Sequence, residues 1–357
     1  MLSRWLPFEK EIVQVEEQLD ELKALAARER LDMSKDIERL ERLHRTIMER
    51  IFQDLSPWDK VQLARHPRRP YSLDYISALC SEWYELHGDR AFGDDPAIVA
   101  GLGIFQKRAI GVVGNQKGRD IKERQLRNFG SPAPEGLRKA GRVMELAARF
   151  GRPILSFVDT PGAACSPDAE ERGISEAIAA SQMLMSRLPA PIVVVITGEG
   201  CSGGAIATAL GDRVLMLEHS YYSVISPEGC ASILYRDPAK APEAAVSLKI
   251  TAEDALGLGV VEEIVPEPLG GAHRDFPQIC RTLGATIQRH FNELCQLPTE
   301  QLLEERYARF RRLGKLEDKL ADVHSPAQQY SCNGAPQDAT LDGVQTITEK
   351  DSVNTTL

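Results

Sequence analysis

The chain has 357 residues, of which 43 % are hydrophobic and 27 % charged, with a formal net charge of −9, the balance of a globular protein rather than a disordered, collagenous or disulfide-knit one. No run approaches the ~18 apolar residues of a membrane span, and the negative charge argues against general nucleic-acid binding. Seven scattered cysteines without Cys-x-x-Cys spacing and seven histidines without a ligand-like cluster predict free thiols and no metal in this chain.

The opening Met1–Lys10 is too short in apolar length for a signal peptide and too acidic for a transit peptide, so the expected address is cytoplasmic. Over residues 9–55, Ile12, Val15, Leu19 and Leu22 step by three or four, and Ile37, Leu40, Leu43, Ile47 and Ile51 repeat the pattern. This predicts a helical hairpin that breaks at residues 31–34, with Ser34 as N-cap of the second helix. From about residue 95 the spacing predicts strands at 98–104, 109–114, 153–159, 191–197, 213–218 and 260–266, and helices at 134–150, 170–188, 203–211 and 251–258. That alternation indicates an α/β fold, and close strand pairs such as 98–104 with 109–114 suit ββα repeats. One amphipathic helix is expected over 275–320, followed beyond Ser325 by a polar tail expected to be disordered. The division expected is an N-terminal helical region at 1–90, an α/β core at 91–274, a C-terminal helical region at 275–324 and the tail at 325–357.

Three segments carry chemistry. Ile196-Thr-Gly-Glu-Gly-Cys-Ser-Gly-Gly-Ala205 joins an apolar strand to a small-residue helix. It satisfies Gly-x-Gly-x-x-Gly, but too few residues separate Gly204 from the turn at Gly211 for a dinucleotide-binding crossover, and no Lys-Ser/Thr follows as in a P-loop. A strand, a glycine turn and a helix start instead aim unpaired N–H groups at a developing negative charge; close packing of helix on sheet is the plainer explanation. Cys201 beside the turn is either a thiol of lowered pKa or, more simply, a small buried one. Phe157–Gly173 repeats the strand, Pro-Gly turn and helix, with Asp168 or Ser166 as cap. Residues 117–142 hold eight Lys/Arg against three Asp/Glu, which suits phosphates or an acidic partner, or equally a solvated helix face. No Gly-x-Ser-x-Gly elbow or Ser-His-Asp order is present.

Taken with Leu63-Ala-Arg-His-Pro-Arg-Arg-Pro-Tyr71, Gln116-Lys-Gly-Arg119, Arg127-Asn-Phe-Gly130, Pro134-Glu-Gly136, Asp159-Thr-Pro-Gly162, Ala169-Glu-Glu-Arg-Gly173, Ser223–Ile233, Lys249-Ile-Thr-Ala252 and Pro266–Arg274, these segments resemble the alpha-subunit family of bacterial acetyl-coenzyme A carboxylase carboxyltransferase, in the crotonase-like (ClpP/crotonase) superfamily, from about residue 5 to 315. The resemblance implies a spiral of ββα repeats with an N-terminal helical hairpin and C-terminal helices. It also implies carboxyl transfer from carboxybiotin, presented by a carrier protein, to acetyl-CoA. Gly203 and Gly204 would supply the oxyanion N–H groups, and Gly162, Ala163 and Ser202 would line the biotin side. Lys117, Arg119, Lys122 and Arg127 become candidates for phosphate or carrier contacts. The implied partners are a zinc-carrying beta subunit in an α2β2 assembly, the biotin carboxyl carrier protein and biotin carboxylase. No cofactor is expected to be covalently bound to this chain, and coenzyme A enters as the thioester substrate. Two departures stand out. Ala164-Cys-Ser-Pro-Asp168 replaces the family's Tyr-Pro and glycine-rich stretch, and Cys201 replaces the glycine before Ser-Gly-Gly. They leave open a paralogue for another acyl-CoA, or a weakly active assembly subunit.

Overall fold

The computed structural model describes residues 5–314. Its frame is one eight-stranded sheet: β1 (Cys80–Glu85), β2 (Ile98–Phe105), β3 (Arg108–Asn115), β4 (Ile154–Thr160), β5 (Ile192–Cys201), β6 (Arg213–Leu217), β7 (Tyr221–Ser223) and β8 (Glu263–Val265). The order is β1-β2-β3-β4-β5-β6-β8, with β7 pairing the far end of β5. β1, β2 and β3 are antiparallel, and the pairings of β3 through β8 are parallel.

β4 and β5 are largely apolar over Ile154–Val158 and Ile192–Ile196 because both of their faces are covered there. Ile154 and Val158 with Ile192, Val194 and Ile196 face Val143, Met144 and Met185 of α6 (Pro134–Arg149) and α8 (Ile174–Arg187). Leu155, Phe157, Val193 and Val195 face Tyr75 and Ile76 of α4 (Ser72–Leu79) and Ile279, Leu283 and Ile287 of α13 (Phe276–Leu294). The hairpin of α1 (Lys10–Glu29) and α2 (Ser34–Gln53) buries Ile12, Val15 and Leu19 against Ile47 and Met48. It is tied to the body by Arg274, which pairs with Glu9 and Glu16 and lies over Trp5.

Four expectations are corrected. Met33, not Ser34, is the N-cap of α2; Ser34 is its first residue, and its N–H donates to Asp32. The helix expected at 170–188 is two, α7 (Pro167–Glu171) and α8, because Gly173 takes a left-handed φ of 79° between them. The helix after the second glycine turn, α9, covers only Ser202–Ile206, since the chain must return so that Asp212 N–H can meet Ile192 O at 2.9 Å. The helix expected over 275–320 is α13 and α14 (Thr299–Arg311), separated at Pro298, whose ring cannot continue a helix. Residues 315–320 and the tail beyond Ser325 lie outside the described residues.

Short elements unsignalled by periodicity also appear: α3 (Pro57–Ala64), α4, α10 (Pro227–Leu234), α11 (Ala241–Leu248), β1 and β7. β1 joins the sheet although it precedes residue 91. The remaining helices are α5 (Ile121–Leu126) and α12 (Ala252–Gly257). Among the described residues no helix is long and apolar enough to cross a membrane.

Candidate active site

β4 and β5 lie side by side and run parallel, so their C-terminal ends deliver two turns to one place. The first is Pro161-Gly162-Ala163, where Gly162 N–H donates to the Thr160 hydroxyl at 3.1 Å. The second passes from β5 straight into α9 through Ser202, whose φ of 55° lies in the region side chains rarely occupy. Gly204 fits only as glycine: a Cβ there would stand 2.6 Å from the Gly162 carbonyl carbon and 2.7 Å from Ala163 N. The two turns therefore touch through bare backbone.

The first N–H groups of a helix have no intrahelical acceptor. Among the described residues no turn, loop or cap carbonyl takes the N–H of Ala163, Gly203 or Gly204, whereas the next one, Ala164 N–H, is taken by Pro132 O at 2.9 Å. A cavity of about 260 Å³ opens beside this turn, lined by Ser202, Gly203, Ile206, Tyr222, Ser223 and Val224. The expected residues Gly162, Ala163, Ser202, Gly203 and Gly204 are thus brought together.

The basic segment is placed differently from a surface patch. Lys117 Nζ is 2.6 Å from Asp159 Oδ1 and 2.7 Å from Glu199 Oε2, with only 11 % of its side chain exposed. Glu199 also accepts from Arg65 Nε at 2.6 Å and from the Tyr221 hydroxyl at 2.7 Å. Burial pushes the Glu199 carboxyl up, but Lys117, Arg65 and these hydrogen bonds overcome it and hold the group at about 2. Burial raises Asp159 despite Lys117. Arg119 is paired with Asp74 and lies 4.1 Å over the Tyr71 ring. Arg127 donates to Glu123 at 3.0 Å and to Pro96 O at 2.9 Å. Lys122 is exposed. Lys117, Arg119 and Arg127 therefore hold this chain together, which leaves Lys122 alone of the four facing solvent without a recorded partner among the described residues.

A second cavity, of about 250 Å³, is lined by Ala64, Arg65, Tyr71, Lys117, Arg124, Phe129, Pro161 and Glu199. Cys201 is buried, and burial, with the Glu199 charge, pushes its thiol up to about 11. It is a neutral packing group rather than a thiolate. Ser166, not Asp168, caps α7, accepting from Ala169 N–H at 3.3 Å. Among the described residues no group of three His, Cys, Asp or Glu side chains is placed to hold a metal.

Asp159, Glu199 and Arg65 were missed as site elements. Their signal was present: a carboxylate ending an apolar strand, and another between two glycines, must find cations once buried. What the sequence withholds is which cation.

A family model described as acetyl co-enzyme A carboxylase carboxyltransferase-like matches residues 5–314. The chain is 48 % identical over 332 residues to the acetyl-coenzyme A carboxylase carboxyl transferase subunit alpha of Prochlorococcus marinus (strain AS9601), covering 92 % of this chain and 99 % of that one. It is 50 % identical over 313 residues to the protein of the same name from Geobacter metallireducens, covering 88 % and 98 %. Among solved structures it is similar in fold to a chain of the Pseudomonas malonate decarboxylase hetero-tetramer in complex with coenzyme A, with a TM-score of 0.51, 16 % identity, and coverage of 67 % of this chain and 95 % of that one.

Proposed function

The chain belongs to the acetyl co-enzyme A carboxylase carboxyltransferase-like family, and from that premise we propose that it is the alpha subunit that moves a carboxyl group from carrier-borne carboxybiotin to acetyl-CoA, giving malonyl-CoA. The observation that carries this reading is the meeting of the two turns, with Gly204 closed on the Gly162–Ala163 peptide and three N–H groups left over.

The cavity beside Ser202 and Gly203 suits biotin: its walls are mostly apolar, with Ser202 and Ser223 as its hydroxyl-bearing lining residues. When bound, carboxybiotin supplies the carboxyl group and, once that has left, a nitrogen base. The N–H groups of Gly203 and Gly204, with that of Ala163 beside them, hold the oxygen on which negative charge collects. Because they are fixed by backbone packing before the charge develops, they stabilise it without reorganisation; one such donor is worth about 10²–10³ in kcat. Ser202 lines the cavity, and Gly162 lies against Ser202 from the first turn. No side chain of this site needs to move a proton, which accords with the absence of a triad. Holding two tethered reactants in register is the other large contribution.

The partner subunit is a zinc-carrying beta subunit in an α2β2 assembly, which receives the CoA thioester and stabilises its enolate. The biotin carboxyl carrier protein and biotin carboxylase complete the system in the cytoplasm, and Lys122 is the basic side chain free to meet the carrier. Reconstitution tests this: the full chain with its beta subunit, carboxylated carrier protein and acetyl-CoA should form malonyl-CoA, read by mass spectrometry. Gly204→Pro, which deletes one donor, should abolish it. Product only from a longer acyl-CoA would assign the chain to a paralogous reaction, and no product from an assembled complex would sink the catalytic reading.

A further inference from the structure

The cluster of charge under the site has a geometry that a simple ion pair does not need. Asp159 and Glu199 each stand three residues before a turn residue, Gly162 and Ser202 respectively. The register pairs Val158 with Ile196 and next Thr160 with Gly200, so one residue of β4, Asp159, faces three of β5, Thr197, Gly198 and Glu199. β5 therefore bulges immediately before the turn.

The Asp159 carboxylate fills that bulge. A Cβ on Gly198 would lie 2.5 Å from Asp159 Oδ1, so the carboxylate enters only because residue 198 is glycine. The same oxygen accepts the Glu199 N–H at 2.9 Å and Lys117 Nζ at 2.6 Å. Thr197 O, on the other limb of the bulge, accepts from Arg69 Nε at 2.7 Å, and Arg69 is paired with the buried Glu267 at 2.5 Å. Both limbs are thus fastened by charged groups reaching in from other segments.

We infer that Lys117 is a positioning residue: by joining Asp159 to Glu199 it locks the β5 bulge and so sets the distance between the two turns that carry the N–H donors. Without the ammonium, two buried carboxylates repel at the point where the strands must meet, and of the two Arg65 reaches only Glu199, its other N–H groups going to Glu228 and the Tyr221 hydroxyl. The kinetic consequence rests on the carboxyl-transfer reading, the structural one on the bulge alone.

The test uses the full chain, alone and assembled with the beta subunit. In Lys117→Met, kcat for malonyl-CoA formation should fall about 100-fold, the cost of a misplacement of order 1 Å, while KM for acetyl-CoA and for the carboxylated carrier stays within about threefold of the parent. Hydrogen exchange, read by mass spectrometry on peptides spanning 196–206, should quicken. Lys117→Met/Asp159→Asn restores the charge balance and keeps an acceptor for the Glu199 N–H, so it should recover most of the lost kcat and slow exchange again. A Lys117→Met enzyme with parental kcat and exchange overturns the inference. So does a raised KM for the carrier with unaltered exchange, which would return Lys117 to the role of a carrier contact. A parent complex that makes no malonyl-CoA would remove the function while the exchange data still decide the strut.

Discussion

β5 carries a buried ion cluster at each end, and the two differ in what they leave undone. At its N-terminal end, Arg306 reaches from α14 to Asp212 through Nε and Nη2, both at 2.8 Å, and its other N–H groups go to the carbonyls of Met185, Leu188 and Ala190. Asp212 also accepts the Ile192 N–H at 2.7 Å. Donors and acceptors there match and the end is shut. At the C-terminal end, the Lys117, Asp159, Glu199 and Arg65 side chains are as thoroughly paired, but the backbone they brace finishes with donors to spare. The same strand is closed at one end and leaves backbone N–H groups unpaired at the other.

Arg306→Met should produce the largest effect. It leaves Asp212 buried without its cation, a loss of about 3–5 kcal/mol, measurable by urea denaturation, while kcat per folded molecule stays unchanged. A change in kcat would mean that the two ends are coupled. Gly204→Ala should weigh the other way: the methyl group meets backbone at 2.6 Å, the turns part, and kcat falls about 10²–10³-fold, while overpacking costs about 1–3 kcal/mol of stability, less than Arg306→Met. Full activity in this variant would separate the donors from the chemistry.

Acid should discriminate between regions more gently. His273 stacks on His66 at 3.9 Å, and both of its ring nitrogens are buried without a hydrogen-bond partner among the described residues. Burial, followed by the charges of His66 and Arg274, lowers it to about 2. Because its folded value lies below the unfolded one, the unfolded chain binds the extra proton below about 6.5 and stability falls as pH drops from there. His273→Phe should flatten that limb, by up to about 2 kcal/mol at pH 5, in thermal melts from pH 7 to 5. Glu199, held at about 2, gives up stability only as pH falls through its ordinary value of 4.5, below this window, and the raised Asp159 acts in the opposite sense, losing stability as pH rises, so the limb between pH 7 and 5 belongs mainly to the histidine. Smallest of all, Lys23→Ala should remove the exposed 2.7 Å pair with Glu41 on the hairpin and cost under about 1 kcal/mol.

How much could be read beforehand follows from the range of the forces involved. β4, β5 and the glycine turns were legible because burial on both faces and backbone approach leave local marks, an apolar run and a Gly-Gly pair. The hairpin was legible from its helical stripe. The place of Lys117 in the ion cluster was not legible because its partners are 42 and 82 residues away, and local sequence displays a charge without the charge it meets. Arg306 was overlooked for the same reason. The eight-residue helices α10 and α11 are too short for a period to show, and β1 is an edge strand whose residues alternate only partly.

The meeting of Gly204 with the Gly162–Ala163 peptide has a consequence for how this chain can vary over time. Donors that belong to the main chain are encoded by no side chain, so a codon change removes one only by installing proline or by forcing the two turns apart. Side chains around them, Cys201 and residues 164–168 among them, can change without removing an N–H from the main chain. Heritable variation here has few ways to switch the reaction off and many ways to change what is brought to it.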